Sequence, residues 1–128
     1  MYHGIILDLQ FVDSAYPEKF KIFAKKKSST NDWVIYGVEI EDADIDAVIS
    51  DIRSNMNAGK HYNAHFYNYQ VLIVVFKDKV FRCSPQASSW SEVIDYGASI
   101  GVPRVQLDFK PCRFRDEITY FKPEDFRT

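Results

Sequence analysis

The chain has 128 residues, 46% hydrophobic and 16% aromatic, enough apolar material for one domain with a sizeable core, which excludes an intrinsically disordered chain. With 16 Lys+Arg against 18 Asp+Glu the net charge is -2, so no global field draws in nucleic acid or an anionic membrane. Two cysteines, Cys83 and Cys112, are too few for a disulfide framework, and no apolar run approaches the ~20 residues of a membrane span. The first residues also lack the basic region, apolar core and cleavage site of a signal peptide, so the expectation is a soluble, cytoplasmic protein with both thiols buried.

From Gly4 to Val12 apolar residues alternate, with Ile5, Leu7, Leu9 and Phe11 on one face and Asp8 on the other, which predicts a first strand. Residues 13–31 read as a short turn or helix near Pro17, then a strand through Phe20, Ile22 and Ala24 that returns after the polar stretch SSTND. Lys25, Lys26 and Lys27 beside that turn fit a charged sheet edge better than a phosphate grip, since no glycine-rich cradle accompanies them. Trp33 to Ile40 is the next strand. A helix follows: Asp42 or Asp44 caps it, Ile45, Val48, Ile49, Ile52 and Met56 form its stripe, and Gly59 stops it.

The densest β signal runs from His61 to Cys83. Its centre, Val71 to Phe76, is apolar at consecutive positions, which requires cover on both faces of the sheet. Just before it, Tyr62, Ala64 and Phe66 alternate with His61, Asn63, His65 and Tyr67, so an apolar row and a polar-aromatic row face opposite ways. Residues 71–76 and 80–83 then form a hairpin. Ser89 and Glu92 have capping-box spacing ahead of a second helix that Gly101 and Pro103 terminate. Val105, Leu107 and Phe109 alternate as a last strand. Phe114, Tyr120, Phe121 and Phe126 anchor a tail from Lys110 to Thr128 along the domain or against a partner.

From residue 33 the order strand, helix, strand, strand, helix, strand predicts an α+β, ferredoxin-like βαββαβ sandwich, extended by an N-terminal strand or hairpin and the aromatic tail. Both helices then cover one face, leaving the other to the N-terminal strands, the tail or a second subunit. A homo-oligomer is therefore expected. The strings HYNAHFY, LIVVFKDKVF and DYGASIGVPRVQLDF resemble those of a group of small, uncharacterised bacterial and archaeal cytoplasmic proteins, over residues 33–109. That resemblance implies the fold and the compartment and no activity. Where that group is expected to carry a Trp–Tyr pair this chain has His61–Tyr62, which weakens any transfer of a site through His61.

The candidate site is the polar-aromatic row of His61, Asn63, His65 and Tyr67, as a ligand surface or an interface. His61 and His65 would lie about 13 Å apart on an extended strand, too far to share a zinc ion, and His3 is the one other histidine, so no metal or cofactor is expected. Neither cysteine carries a nucleophile signature, and no phosphate loop or nucleophile elbow is present. The reading is a non-catalytic binding or assembly module with a possible small-molecule ligand. The alternative is a small enzyme with His65 as general base, oriented by Tyr67, Asp8 or Asp108.

Overall fold

In the computed structural model, which describes residues 1–28, 32–58 and 62–127, six antiparallel strands form one sheet. They are β1 (Tyr2–Leu7), β2 (Lys21–Lys27), β3 (Val34–Ile40), β4 (Ala64–Tyr67), β5 (Leu72–Val75) and β6 (Val80–Cys83), in the spatial order β2-β3-β1-β4-β5-β6. Three helices complete the fold: α1 (Ile45–Asn55), α2 (Ser91–Ser99) and the short α3 (Glu117–Tyr120). The class is α+β, as the patterning predicts, but the strand order differs from a ferredoxin-like sandwich. The β3, α1 and β4 elements do form a split βαβ unit, with β1 inserted antiparallel between the two strands. Beyond it the sheet continues as the simple hairpin of β5 and β6.

The fourth strand of the expected sandwich is also missing. Arg104–Gln106 forms a 3-10 turn in place of the strand expected at 105–109, and Val105 is 79% exposed. Phe109 adopts a left-handed φ of 48°, which breaks an extended run. Leu107 and Phe109 still bury themselves, but not in a ladder: Leu107 packs on Gly97 of α2, and the Phe109 ring meets Trp90 edge-on at 5.2 Å. Alternation there records contact with a helix. The first strand is also shorter than its pattern, because Asp8–Gln10 turns into a 3-10 helix in which Gln10 Oε1 accepts from Leu7 N at 3.1 Å.

The helices lie on opposite faces of the sheet, contrary to the expectation that both cover one. On one side Ile45, Ile49 and Ile52 of α1, with Met56, bury Ile6, Val38, Ala64, Phe66, Ile73 and Val75. On the other, Trp90 and Val93, with Val102, Leu107, Phe109, Cys112 and Phe121, bury Ile5, Ile35, Tyr67, Leu72, Val74 and Phe76. The central strand is therefore covered on both faces within a single chain, and the reason for requiring a second subunit falls away. The tail provides much of that cover, and a bridge between Ala24 and Phe126 extends it to β2.

Local details refine the sequence signals. Asp44 occupies the N-cap of α1 without a side-chain cap bond; Asp42 pairs with the terminal amine and Asp46 with Arg82 at 2.8 Å. Gly59 lies outside the described residues, and α1 ends before it. Trp90, not Ser89, occupies the N-cap of α2, without a side-chain cap bond, and the Ser89 hydroxyl is engaged with the Gln86 carbonyl at 2.8 Å. Gly101, at φ 100°, ends that helix as expected. A 3-10 turn at Tyr16–Lys19 precedes β2, which pairs with β3. β2 is an edge strand. Two of its lysines reach back to the domain: Lys25 Nζ is 3.0 Å from Glu18, and Lys26 Nζ donates to the Tyr120 carbonyl at 2.7 Å. No helix among the described residues is long and apolar enough to cross a membrane.

Gly4 sits opposite Phe66 in the β1–β4 ladder, and a Cβ there would lie 2.3 Å from Phe66 Cδ1. The aromatic ring lies against bare backbone. Gly4→Ala therefore has to displace Phe66 from the α1 side of the core, and a loss of about 1–3 kcal/mol is expected, the usual range for overpacking. Urea unfolding checks this. A variant as stable as the wild type would mean that the ring does not rest on Gly4.

Candidate ligand-binding site

The alternation in β4 is as expected, with Ala64 and Phe66 in the α1 core and His65 and Tyr67 facing the other way. That other face is not open. His65 is 5% exposed and Tyr67 fully buried, both beneath the C-terminal segment. His65 Nε2 is 2.7 Å from the Pro111 carbonyl oxygen, an acceptor only, so Nε2 carries the proton and Nδ1 keeps its lone pair. Burial pushes the His65 pKa down to about 4, against the smaller opposing effects of the Pro111 bond and the Asp108 charge. The imidazole is neutral near pH 7.

Tyr67 is committed elsewhere. Its ring lies 6.1 Å from that of His65, but its hydroxyl donates to Glu117 Oε2 of α3. Burial first, and the bond to Glu117 second, raise the Tyr67 phenol well above its ordinary range. The same carboxylate oxygen is 2.6 Å from His3 Nδ1, and His3 Nε2 lies 3.5 Å from Glu39 Oε1. His3 stacks on Phe23 at 4.2 Å and meets Phe114 edge-on. A buried carboxylate is thus held by a histidine and a tyrosine from the sheet, and it fastens the tail. The sequence reading missed Glu117 and His3. For His3 a signal existed, since it stands two residues before Ile5 on the apolar row of β1.

One end of this face opens as a cleft of about 150 Å³. Ile5, Leu7 and Ile35 supply apolar lining, Trp33, Tyr62 and Tyr120 aromatic surface, and Asn63, His65, Asp108 and Lys110 polar groups. Asn63 is placed there by the start of β4, and its carbonyl accepts from the buried Gln10 side chain. Of the expected row, Asn63 and His65 line the cleft, Tyr67 does not, and His61 lies outside the described residues. Asp8 is occupied by the amides of Leu9 at 2.8 Å and Val34 at 3.0 Å, whereas Asp108 shares the cleft with His65. A second, larger cleft begins beyond Asp108, Lys110 and Tyr120, which line both.

Among the described residues no three His, Cys, Asp or Glu side chains gather as metal ligands. Burial raises the Cys83 and Cys112 thiols, the reverse of what an attacking thiolate needs. Comparison with protein-family models, curated proteins and solved structures gives no match to this chain.

Proposed function

We propose that this protein is a non-catalytic binding module whose cleft at Asn63 and His65 takes a small, single-ring molecule. One observation carries the reading: a neutral, buried histidine, fixed by the Pro111 carbonyl, lines a mostly apolar cleft beside aromatic walls and a few polar groups. The size limits the ligand. An apolar protein cavity of about 150 Å³ is known to accept benzene, so this cleft suits one ring and not a nucleotide. With Nε2 donating to Pro111, His65 offers Nδ1 as an acceptor, which favours a ring bearing an O–H or N–H. The walls come from one chain, so binding needs no second copy.

The alternative, His65 as general base, is weaker because a base works best with a pKa near the working pH. A histidine held at about 4 has lost most of its basicity. The resemblance of residues 33–109 to small bacterial and archaeal proteins adds a fold expectation and no chemistry.

The two tryptophans make the test direct, because Trp33 lines this cleft and Trp90 does not. Titration with phenol should move the Trp33 indole N–H resonance saturably, with a dissociation constant of about 1 mM or tighter. Toluene, equal in size but without a donor, should bind less well, and Leu7→Phe, which fills the cleft, should remove the response. If phenol leaves the Trp33 signal in place, or acts equally in the filled variant, the cleft is not a ligand site.

A further inference from the structure

The larger cleft, about 1030 Å³, lies between the β6–α2 connection and the C-terminal segment. Small-molecule sites commonly span about 300–1,000 Å³, so this one has room for a ligand several times larger than a single ring. Tyr69 and Trp90 give it aromatic surface. Tyr69 is 86% exposed and lies edge-on to Phe114 at 4.7 Å, while Trp90 is fixed by an Nε1–H bond to the Ser84 carbonyl at 2.9 Å. The wall is therefore partly rigid and partly free.

Charge narrows the ligand class. Five charged side chains line the cleft: Lys110, Arg113, Arg115, Asp108 and Asp116. Arg113 and Asp116 neutralise each other, with Nε 2.8 Å from Oδ2 and Nη2 3.4 Å from Oδ1. Lys110 and Arg115 are exposed and have no ion-pair partner among the described residues, which leaves two cations against Asp108 alone. In a chain of net charge -2 this is a local reversal of sign. A guanidinium presents a planar fork that matches carboxylate and phosphate oxygens, and a cation beside aromatic surface suits an anion attached to a ring.

We infer that the cleft between Trp90 and Arg115 is a second binding site, for an organic anion that carries a ring. Its carboxylate or phosphate meets Arg115 and Lys110, and its ring lies against Tyr69 and Trp90. This assignment is independent of the single-ring reading above, because Arg115 and Trp90 line only the larger cleft.

The test uses the whole chain at low ionic strength and three probes: phenyl phosphate, 3-phenylpropionate and neutral benzyl alcohol. At least one of the two acids should bind saturably and move the Trp90 indole N–H resonance while leaving that of Trp33 in place. Which acid binds more tightly identifies the anion. Added salt should weaken binding. Arg115→Ala, at an exposed position, should weaken it about ten-fold or more without lowering the melting temperature, and Arg115→Lys should restore part of the loss. Several results would overturn the assignment: no saturable binding of either acid, equal binding of benzyl alcohol, unchanged affinity in folded Arg115→Ala, or a response confined to Trp33. Preference for an acidic peptide over both ring acids would also overturn it. Should Arg115→Ala fail to fold, the salt dependence and the same measurement on Lys110→Ala decide the matter.

Discussion

Tyr67→Ala should lower stability by about 3–5 kcal/mol, as much as Phe66→Ala on the opposite face of the same strand. Sequence patterning puts Phe66 alone in the core and leaves Tyr67 on an open surface, where its removal would act on binding or assembly. Both side chains are in fact fully buried. Tyr67 also donates to Glu117, itself only 7% exposed, so truncation leaves a buried carboxylate with His3 as its remaining partner. Tyr67→Phe separates the two contributions: it keeps the ring and removes one hydrogen bond to a charged group, an expected loss of about 1.5–3 kcal/mol. Urea unfolding of the three variants gives the comparison. A loss below about 1 kcal/mol for Tyr67→Ala would mean that the C-terminal segment does not seal this face.

Acid should destabilise the protein through His65 by about 3 kcal/mol between neutral pH and pH 4. In the folded chain burial holds this imidazole at about 4 against its ordinary 6.5, so on acidification the unfolded chain takes the proton first. The contribution is fully present above pH 6.5 and disappears as the pH falls toward 4. In His65→Gln that contribution is missing. The expected result is a wild-type stability curve that falls more steeply than the variant's across this window. Parallel curves would show that His65 is not held neutral by burial.

Much of the sheet was legible because its side chains announce both period and burial. The unbroken Val71 to Phe76 run demanded two covered faces and has them, with Ile73 toward α1 and Leu72 and Val74 toward α2 and the tail. The stripe from Ile45 to Met56 specified a helix. Which face that helix covers is not a local property, and the placement of α1 and α2 on opposite sides was therefore invisible. The 105–109 segment misled for a related reason: burial of Leu107 and Phe109 at alternate positions is the same whether the partner is a strand or, as here, α2. In the site, alternation separated His65 from Phe66 correctly. It carried no information about Glu117, which reaches Tyr67 across 50 residues of sequence.

That separation bears on how the protein is made. The α1 side of the sheet draws on residues no later than Val80, whereas the Tyr67 side is closed by residues up to Phe126. During synthesis one half of the core can dry while the other still faces water, with Leu72, Val74 and Phe76 only partly covered until α2 and then the C-terminal segment leave the ribosome. Through that interval the nascent chain presents a sticky apolar sheet to its surroundings. Translation speed across residues 90–126, and the presence of a holding chaperone, should consequently affect the yield of folded protein more than either would for a chain whose two sides close together.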